Sequence, residues 1–303
     1  MKNNPEHLRF LPPCDLCGGF RSQALTIGGE QVHRCQNCGL VRVDSTHEQC
    51  LVPANRKQCA ALERSLKSHL KKLPERNATI LLVGASAARL ADAFINKGNL
   101  TIHLLTELET PAPRGVIRHV LSIEQAAFIP DLFDVVVADV TAQPIPPSLL
   151  LQKARLWLKP GRSLLLVADN SASLLSAIWR RSWMGQRGAS LTHLLTSHHL
   201  ERYATRSGFA VRRLRTVALP EGIAQVIARG NKPSIAVRSI GHLLAGIARL
   251  ASAGEVLLAE LEKHGTAQIP LHKPAAERDQ SPGLAHAMYA GMKRESMAES
   301  GVG

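Results

Sequence analysis

The chain has 303 residues, with 37 Lys+Arg against 24 Asp+Glu for a formal net charge of +13, and only 4% aromatic residues. That length suits one sizeable α/β domain with an appendage, or two modest domains, with a core built from Leu, Ala, Val and Ile. The polar, charged start and the lack of any 18-residue apolar run argue against a signal peptide and a membrane span, so a cytoplasmic location is expected. The excess of positive charge favours anionic partners, but it is spread, as on a solvated surface, with Arg180–Arg187 and Arg202–Arg215 as its densest runs.

Residues 1–48 are cysteine-rich and read as a small separate domain. Residues 49–75 follow as a connecting helix, with apolar residues at helical spacing up to Pro74. From Thr79 short β-rich runs alternate with helical stretches, the pattern of a doubly wound parallel sheet over residues 76–232. Strands are expected at Thr79–Val83, Thr101–Thr106, Val116–Val120, Val135–Ala138 and Ser163–Ala168, and helices at Ala87–Lys97, Ser148–Leu158 and Thr196–Ser207. Ala210–Val217 and Ile223–Ala228, separated by Pro-Glu-Gly, read as a final antiparallel hairpin.

Residues 233–265 read as a helical extension. Its stripe is Ile240, Leu243, Leu244, Ile247, Leu250, Leu257, Leu258 and Leu261, packed on the main domain or pairing two copies as a homodimer. Residues 266–303, polar and broken by Pro, Gly and Ser, read as a disordered tail.

The sharpest signal is two C-x-x-C pairs, Cys14/Cys17 and Cys35/Cys38, with seventeen residues between them. In a reducing compartment this spacing is that of a zinc site. Each pair makes one tight turn that aims two thiolates at one ion, and two facing turns complete a tetrahedron. Gly18 and Gly39 follow the pairs and give the turns their backbone freedom. Four sulfurs leave no position for substrate, so the ion is structural and folds a segment too small for its own core. The intervening SQALTIGGEQVHRC reads as a hairpin, His33 as a surface residue, and Cys50 and Cys59 fit no spacing.

A second signal is the run Ile80–Ala88, an apolar strand passing through a turn of small residues into a helix. Nucleotide-binding α/β folds need small residues there because the ligand approaches the backbone. Gly84 and Ser86 occupy that turn, and Glu107, 23 residues after Gly84, ends the second strand where a carboxylate accepts from both hydroxyls of a ribose. A plain β–α turn with a surface Glu is the competing reading.

Together these pieces resemble the class I S-adenosylmethionine (SAM)-dependent methyltransferases that carry an N-terminal zinc-binding domain, a group that includes sugar C-methyltransferases. The likeness spans residues 14–230: the paired C-x-x-C-G motifs, LLVGASA, FDVVVADV, LWLKPGRSLLLVADN and THLLTSHHLERYATRSGFAV. It implies a seven-stranded Rossmann-like methyltransferase sheet beside a small zinc ribbon, and methyl transfer from SAM to a small anionic acceptor such as a nucleotide-linked sugar. It also implies that Ile123 packs on the adenine and that His193 is either the base or a histidine that structures its loop, while Asp139 ends the fourth strand, where ligands bind in such sheets.

Three features depart from the family. Leu82 stands at the acidic position of the first motif, Ser86 and Ala88 replace its second and third glycines, and Thr141-Ala142-Gln143 replaces a Glu-His pair. They keep open an inactive binding or partner subunit, and the net charge keeps open a zinc-ribbon protein that binds nucleic acid.

Overall fold

The computed structural model describes residues 12–27, 30–43, 63–64, 67, 77–84, 87–95, 100–107, 113–141, 145–179, 192–228 and 232–264. The connecting helix expected at 49–75 falls almost wholly outside these residues, and the tail expected at 266–303 wholly outside them.

Three strands, β1 (Ser22–Ile27), β2 (Glu30–Cys35) and β3 (Val41–Val43), form the N-terminal module. β1 and β2 make the expected antiparallel hairpin, with Ser22 opposite Cys35 and Ile27 opposite Glu30. The large sheet contains β4 (Ala78–Gly84), β5 (Leu100–Thr106), β6 (Val116–Val120), β7 (Phe133–Asp139) and β8 (Leu158–Asp169). Helices α1 (Ala87–Phe94) and α2 (Pro147–Trp157) intervene, and α3 (Leu174–Ile178) follows β8. After them come β9 (His193–Leu194), α4 (Ser197–Arg206), β10 (Phe209–Val217), α5 (Pro220–Ile227), α6 (Ile235–Leu250) and β11 (Val256–Lys263).

The large sheet has seven strands in the order β10-β11-β8-β7-β4-β5-β6, with β11 antiparallel to both its neighbours. This is the seven-stranded methyltransferase arrangement that the motifs imply. Alternation along the central strands divides its two faces. Leu81, Val83, Val136, Ala138, Leu164 and Leu166 face one core layer, against Leu150, Leu151 and Trp157 of α2 and Leu200 and Tyr203 of α4. Ile80, Leu82, Val135, Val137, Leu165 and Val167 face the other, against Leu90, Ala91 and Phe94 of α1. Strands buried on both faces read as unbroken apolar runs, which is why these elements are legible in the sequence.

The C-terminal third corrects the expected hairpin and helical extension. Ile223–Ala228 is not a strand: Pro220 fits the first turn of a helix, and Pro220, Ile223, Ala224 and Val226 are its buried face. The hairpin partner of β10 is β11, pairing from Phe209 opposite Lys263 to Val217 opposite Val256. The segment VLLAELEK carries leucines at spacings that mimic a helix, yet it is a strand inserted between two others, so Leu257 and Leu261 face one layer and Leu258 the other. The large sheet therefore runs past residue 232 to Lys263.

Only residues 235–250 of the expected extension are helical. This helix buries its small residues Gly241, Ala245 and Ala248 and turns Ile240, Leu243, Ile247 and Leu250 outward. No helix among the described residues is long and apolar enough to cross a membrane.

The N-terminal module joins the main core. β9 extends the small sheet by pairing with β3, Leu194 opposite Val41 and His193 opposite Arg42. Cys14, Leu16, Cys35 and Leu40 lie in the same buried layer as Leu195, Leu200 and Tyr203.

Candidate functional site

The module brings the four expected cysteines together. The Cys14 and Cys38 sulfurs are 3.6 Å apart, those of Cys17 and Cys35 are 3.5 Å apart, and all four lie within 4.8 Å of one another. A tetrahedral zinc ion with Zn–S of about 2.3 Å sets neighbouring sulfurs about 3.8 Å apart, so the donor set and its spacing fit zinc. The two turns are near copies. Gly18 N–H donates to the Cys14 carbonyl at 2.7 Å and Gly39 N–H to the Cys35 carbonyl at 2.9 Å, and both glycines have φ of +74°. Gly19 N–H also points at the Cys17 sulfur, 3.4 Å away. Helix α4 clasps the cluster from outside: His199 Nε2 donates to the Cys38 carbonyl at 3.3 Å, and Arg206 donates to the Leu16 carbonyl. Burial holds His199 down at about 4, so its ring is a neutral donor.

The second region is the carboxyl edge of the large sheet. The strand order reverses between β4 and β7, and ligands of open α/β sheets bind in the crevice at that point. Gly84 ends β4 there, opposite Asp139 of β7. It has φ of +98°, and a Cβ would lie 2.1 Å from the Asp139 carbonyl oxygen. Only glycine lets the strand turn while the two backbones touch. Ser86 lies outside the described residues.

Glu107 stands one strand away, exposed at the end of β5. Partial burial of its carboxyl, then the nearby Glu124 carboxylate, push it above the usual glutamate range. Asp139 is 1% exposed and its Oδ1 accepts from the Thr141 amide at 3.1 Å and the Thr141 hydroxyl at 2.6 Å. Its carboxylate thus organises its own turn, and its carbonyl abuts Gly84. Ile123 is 3% exposed and packed in the core layer with Ala126 and Phe133.

At the carboxyl ends of β7 and β8, a small, water-sized cleft is lined by Val140, Ile145, Pro147, Ala168, Asp169, Thr192, His193 and Leu195. His193, the expected base, thus lies on the cleft wall at the ends of β7 and β8. Its Nδ1 is 2.9 Å from the Thr192 hydroxyl, and its Nε2 is 3.2 Å from Asp15 Oδ1.

Asp15 belongs to the cysteine module, between Cys14 and Cys17. Its Oδ2 accepts from Ser148 Oγ at 3.0 Å, and the buried Tyr203 hydroxyl faces it from beyond hydrogen-bond geometry. Burial raises the Asp15 carboxyl, but the hydrogen bond and charge of His193, then Tyr203 and Ser148, bring it down to about 2. The same burial and carboxylate push the Tyr203 hydroxyl far up. Sequence reasoning missed Asp15, Ser148, Thr192 and Tyr203. Thr192 has a visible cue, since it directly precedes the candidate base. Asp15 has none, since the x positions of a C-x-x-C turn carry no spacing signal.

No family model matches the chain, and no curated protein matches its sequence. Among solved structures it is similar to the cyclase SpnF, at 12% identity over 72% of this chain and 85% of that one, with a TM-score of 0.48. It is similar to a geranyl diphosphate C-methyltransferase of Streptomyces coelicolor, at 11% identity over 72% of this chain and 92% of that one, with a TM-score of 0.45. It is also similar to the cyclopropane synthase MmaA2 of Mycobacterium tuberculosis, at 16% identity over 72% and 88%, with a TM-score of 0.43. The strand order, and not these likenesses, carries the fold assignment.

Proposed function

We propose that the chain is a SAM-dependent methyltransferase acting on a small anionic acceptor, such as a nucleotide-linked sugar, with one structural zinc ion held by Cys14, Cys17, Cys35 and Cys38. The observation that carries this reading is the reversal of strand order between β4 and β7, where Gly84 turns the chain at positive φ and Glu107 is exposed at the end of the neighbouring strand. SAM, when bound, supplies an electrophilic methyl group. Glu107 would accept hydrogen bonds from its ribose hydroxyls, Gly84 and Ser86 would line the cofactor turn, and Ile123 would back the adenine. Asp139 shapes the floor through its Thr141-capped turn. His193 takes the proton that leaves the acceptor in the adjoining cleft. The net charge of +13 supports an anionic acceptor.

Titration of the purified full chain with SAM tests the reading directly. Saturable binding with a heat of association supports it, and no binding at millimolar SAM overturns it.

A second reading, an inactive binding or partner subunit, draws on Leu82, which is 1% exposed in the α1 layer where the family carries an acid. It also draws on Asp139, whose Oδ1 is engaged by Thr141. That reading expects a folded, zinc-loaded chain without SAM affinity. The outward row Ile240, Leu243, Ile247 and Leu250 supports pairing of two copies through α6, which light scattering measures. A zinc-ribbon protein that binds nucleic acid would instead show a steep loss of affinity for RNA or DNA with salt.

A further inference from the structure

We infer that Asp15 is a positioning residue for His193, so that the cysteine module supplies part of the cleft's proton-transfer machinery instead of merely capping it. The inference rests on the methyltransferase reading for its catalytic meaning, but its geometry stands alone.

Asp15 sits on the first cysteine turn, and its carboxylate is the point where helices α2 and α4 and strand β9 meet that turn. Ser148 of α2 donates to Oδ2 at 3.0 Å, His193 of β9 reaches Oδ1 at 3.2 Å, and Tyr203 of α4 is buried alongside. β9 is itself hydrogen-bonded to β3 of the module, with His193 opposite Arg42. Backbone pairing and side-chain contact therefore both fix the ring relative to the cysteine turn.

A carboxylate that receives donors on both oxygens accepts from the ring, so the His193 proton resides on Nε2. Nδ1 is then the lone-pair nitrogen. It is 2.9 Å from the Thr192 hydroxyl, and both Thr192 and His193 line the cleft. The order acceptor, Thr192 Oγ, His193 Nδ1, with Asp15 behind Nε2, is a proton relay. As the acceptor gives its proton to Thr192 Oγ, the Thr192 proton passes to Nδ1, and the electron pair stays on the acceptor atom. The imidazolium that forms faces the Asp15 carboxylate. With Nε2 engaged by Asp15, the 2.9 Å contact places the free ring nitrogen on the Thr192 side, as the relay requires.

Two measurements on the zinc-loaded full chain test this. Two-bond ¹⁵N–¹H correlation spectra should show the His193 ring in the wild-type chain as the Nε2–H tautomer; an Nδ1–H ring overturns the inference without any variant. Carbethoxylation by diethyl pyrocarbonate, followed by peptide mass mapping with exposed His242 as internal reference, reads the reactivity of Nδ1. In Asp15→Asn the labelling rate of His193 should fall by about tenfold or more, and Asp15→Glu should recover most of it. Unchanged His193 labelling in a folded Asp15→Asn chain also overturns the inference. SAM binding is measured in parallel. Its absence, with the tautomer and labelling as expected, removes the methyl-transfer reading and leaves the Asp15–His193 coupling supported. Its presence with an Nδ1–H ring does the reverse.

Discussion

In the cysteine module four sulfurs from two short turns converge within 4.8 Å, and each turn closes its own hydrogen bonds. At the carboxyl edge of the large sheet the polar groups arrive singly: Gly84 from β4, Glu107 from β5, Asp139 from β7 and His193 from β9. The first region is closed, with every ligand atom directed inward at one point. The second is spread along the strand ends, and of its members His193 lines the small cleft beside β7 and β8. A closed cluster suits a structural ion, and an open edge suits a ligand that comes and goes. Asp15 belongs to both, because its backbone forms the cysteine turn while its carboxylate faces the cleft histidine.

The largest expected effect separates the two regions through the metal. Chelation of the full chain should remove about one zinc ion and, with it, binding energy on the order of 10 kcal/mol that holds the module folded. Hydrogen exchange should then lose protection across residues 22–43 while β4, β7 and β8 keep theirs. Retained protection in the metal-free module would break the comparison.

Next in size is Gly84→Ala, where a Cβ meets the Asp139 backbone at 2.1 Å and φ is positive. A loss of about 4 kcal/mol in chemical denaturation is expected. A change under about 0.5 kcal/mol, the range of ordinary surface substitutions, would mean that the two strands do not touch there.

Glu107→Gln should act on the ligand and not on the fold, because the side chain is exposed. Losing a charged acceptor of two hydroxyls should weaken SAM binding by about 2 kcal/mol, roughly thirtyfold, with the melting temperature unchanged. Equal loss of stability and affinity would instead assign Glu107 to the structure.

The smallest effect lies away from both regions. His103 and His119 stack at 5.2 Å with a 3.0 Å hydrogen bond between their rings, beside Phe128 and Phe133. Burial lowers both below the ordinary 6.5, and for His103 the neighbouring His119 adds to this. The unfolded chain therefore takes up protons before the folded one. Their contribution is intact above about pH 6.5 and is lost as pH falls below it. Denaturation at about pH 7.5 and about pH 5.5 should show that decline, and replacing both rings by Phe should flatten part of it.

Much of this molecule is written locally. The C-x-x-C spacing specifies the zinc-type cluster because ligand geometry depends on neighbours two residues apart. The doubly buried strands β4, β7 and β8 declare themselves as apolar runs, and the turn at Gly84 follows from backbone approach. The C-terminal third is not legible in that way. VLLAELEK and PEGIAQVI carry apolar spacings compatible with either period. What settles them is that one fills the slot between β8 and β10 while the other packs beside α6.

The sequence by itself determined the metal-type cluster, the parallel centre of the sheet and the position of Glu107, since each depends on local spacing or on a single strand. Only the tertiary structure decided that β11 completes the sheet, that Asp139 caps its own turn, and that Asp15 meets His193 across 178 residues of chain. Those outcomes depend on which distant surfaces are buried together, and no local pattern encodes a contact of that separation.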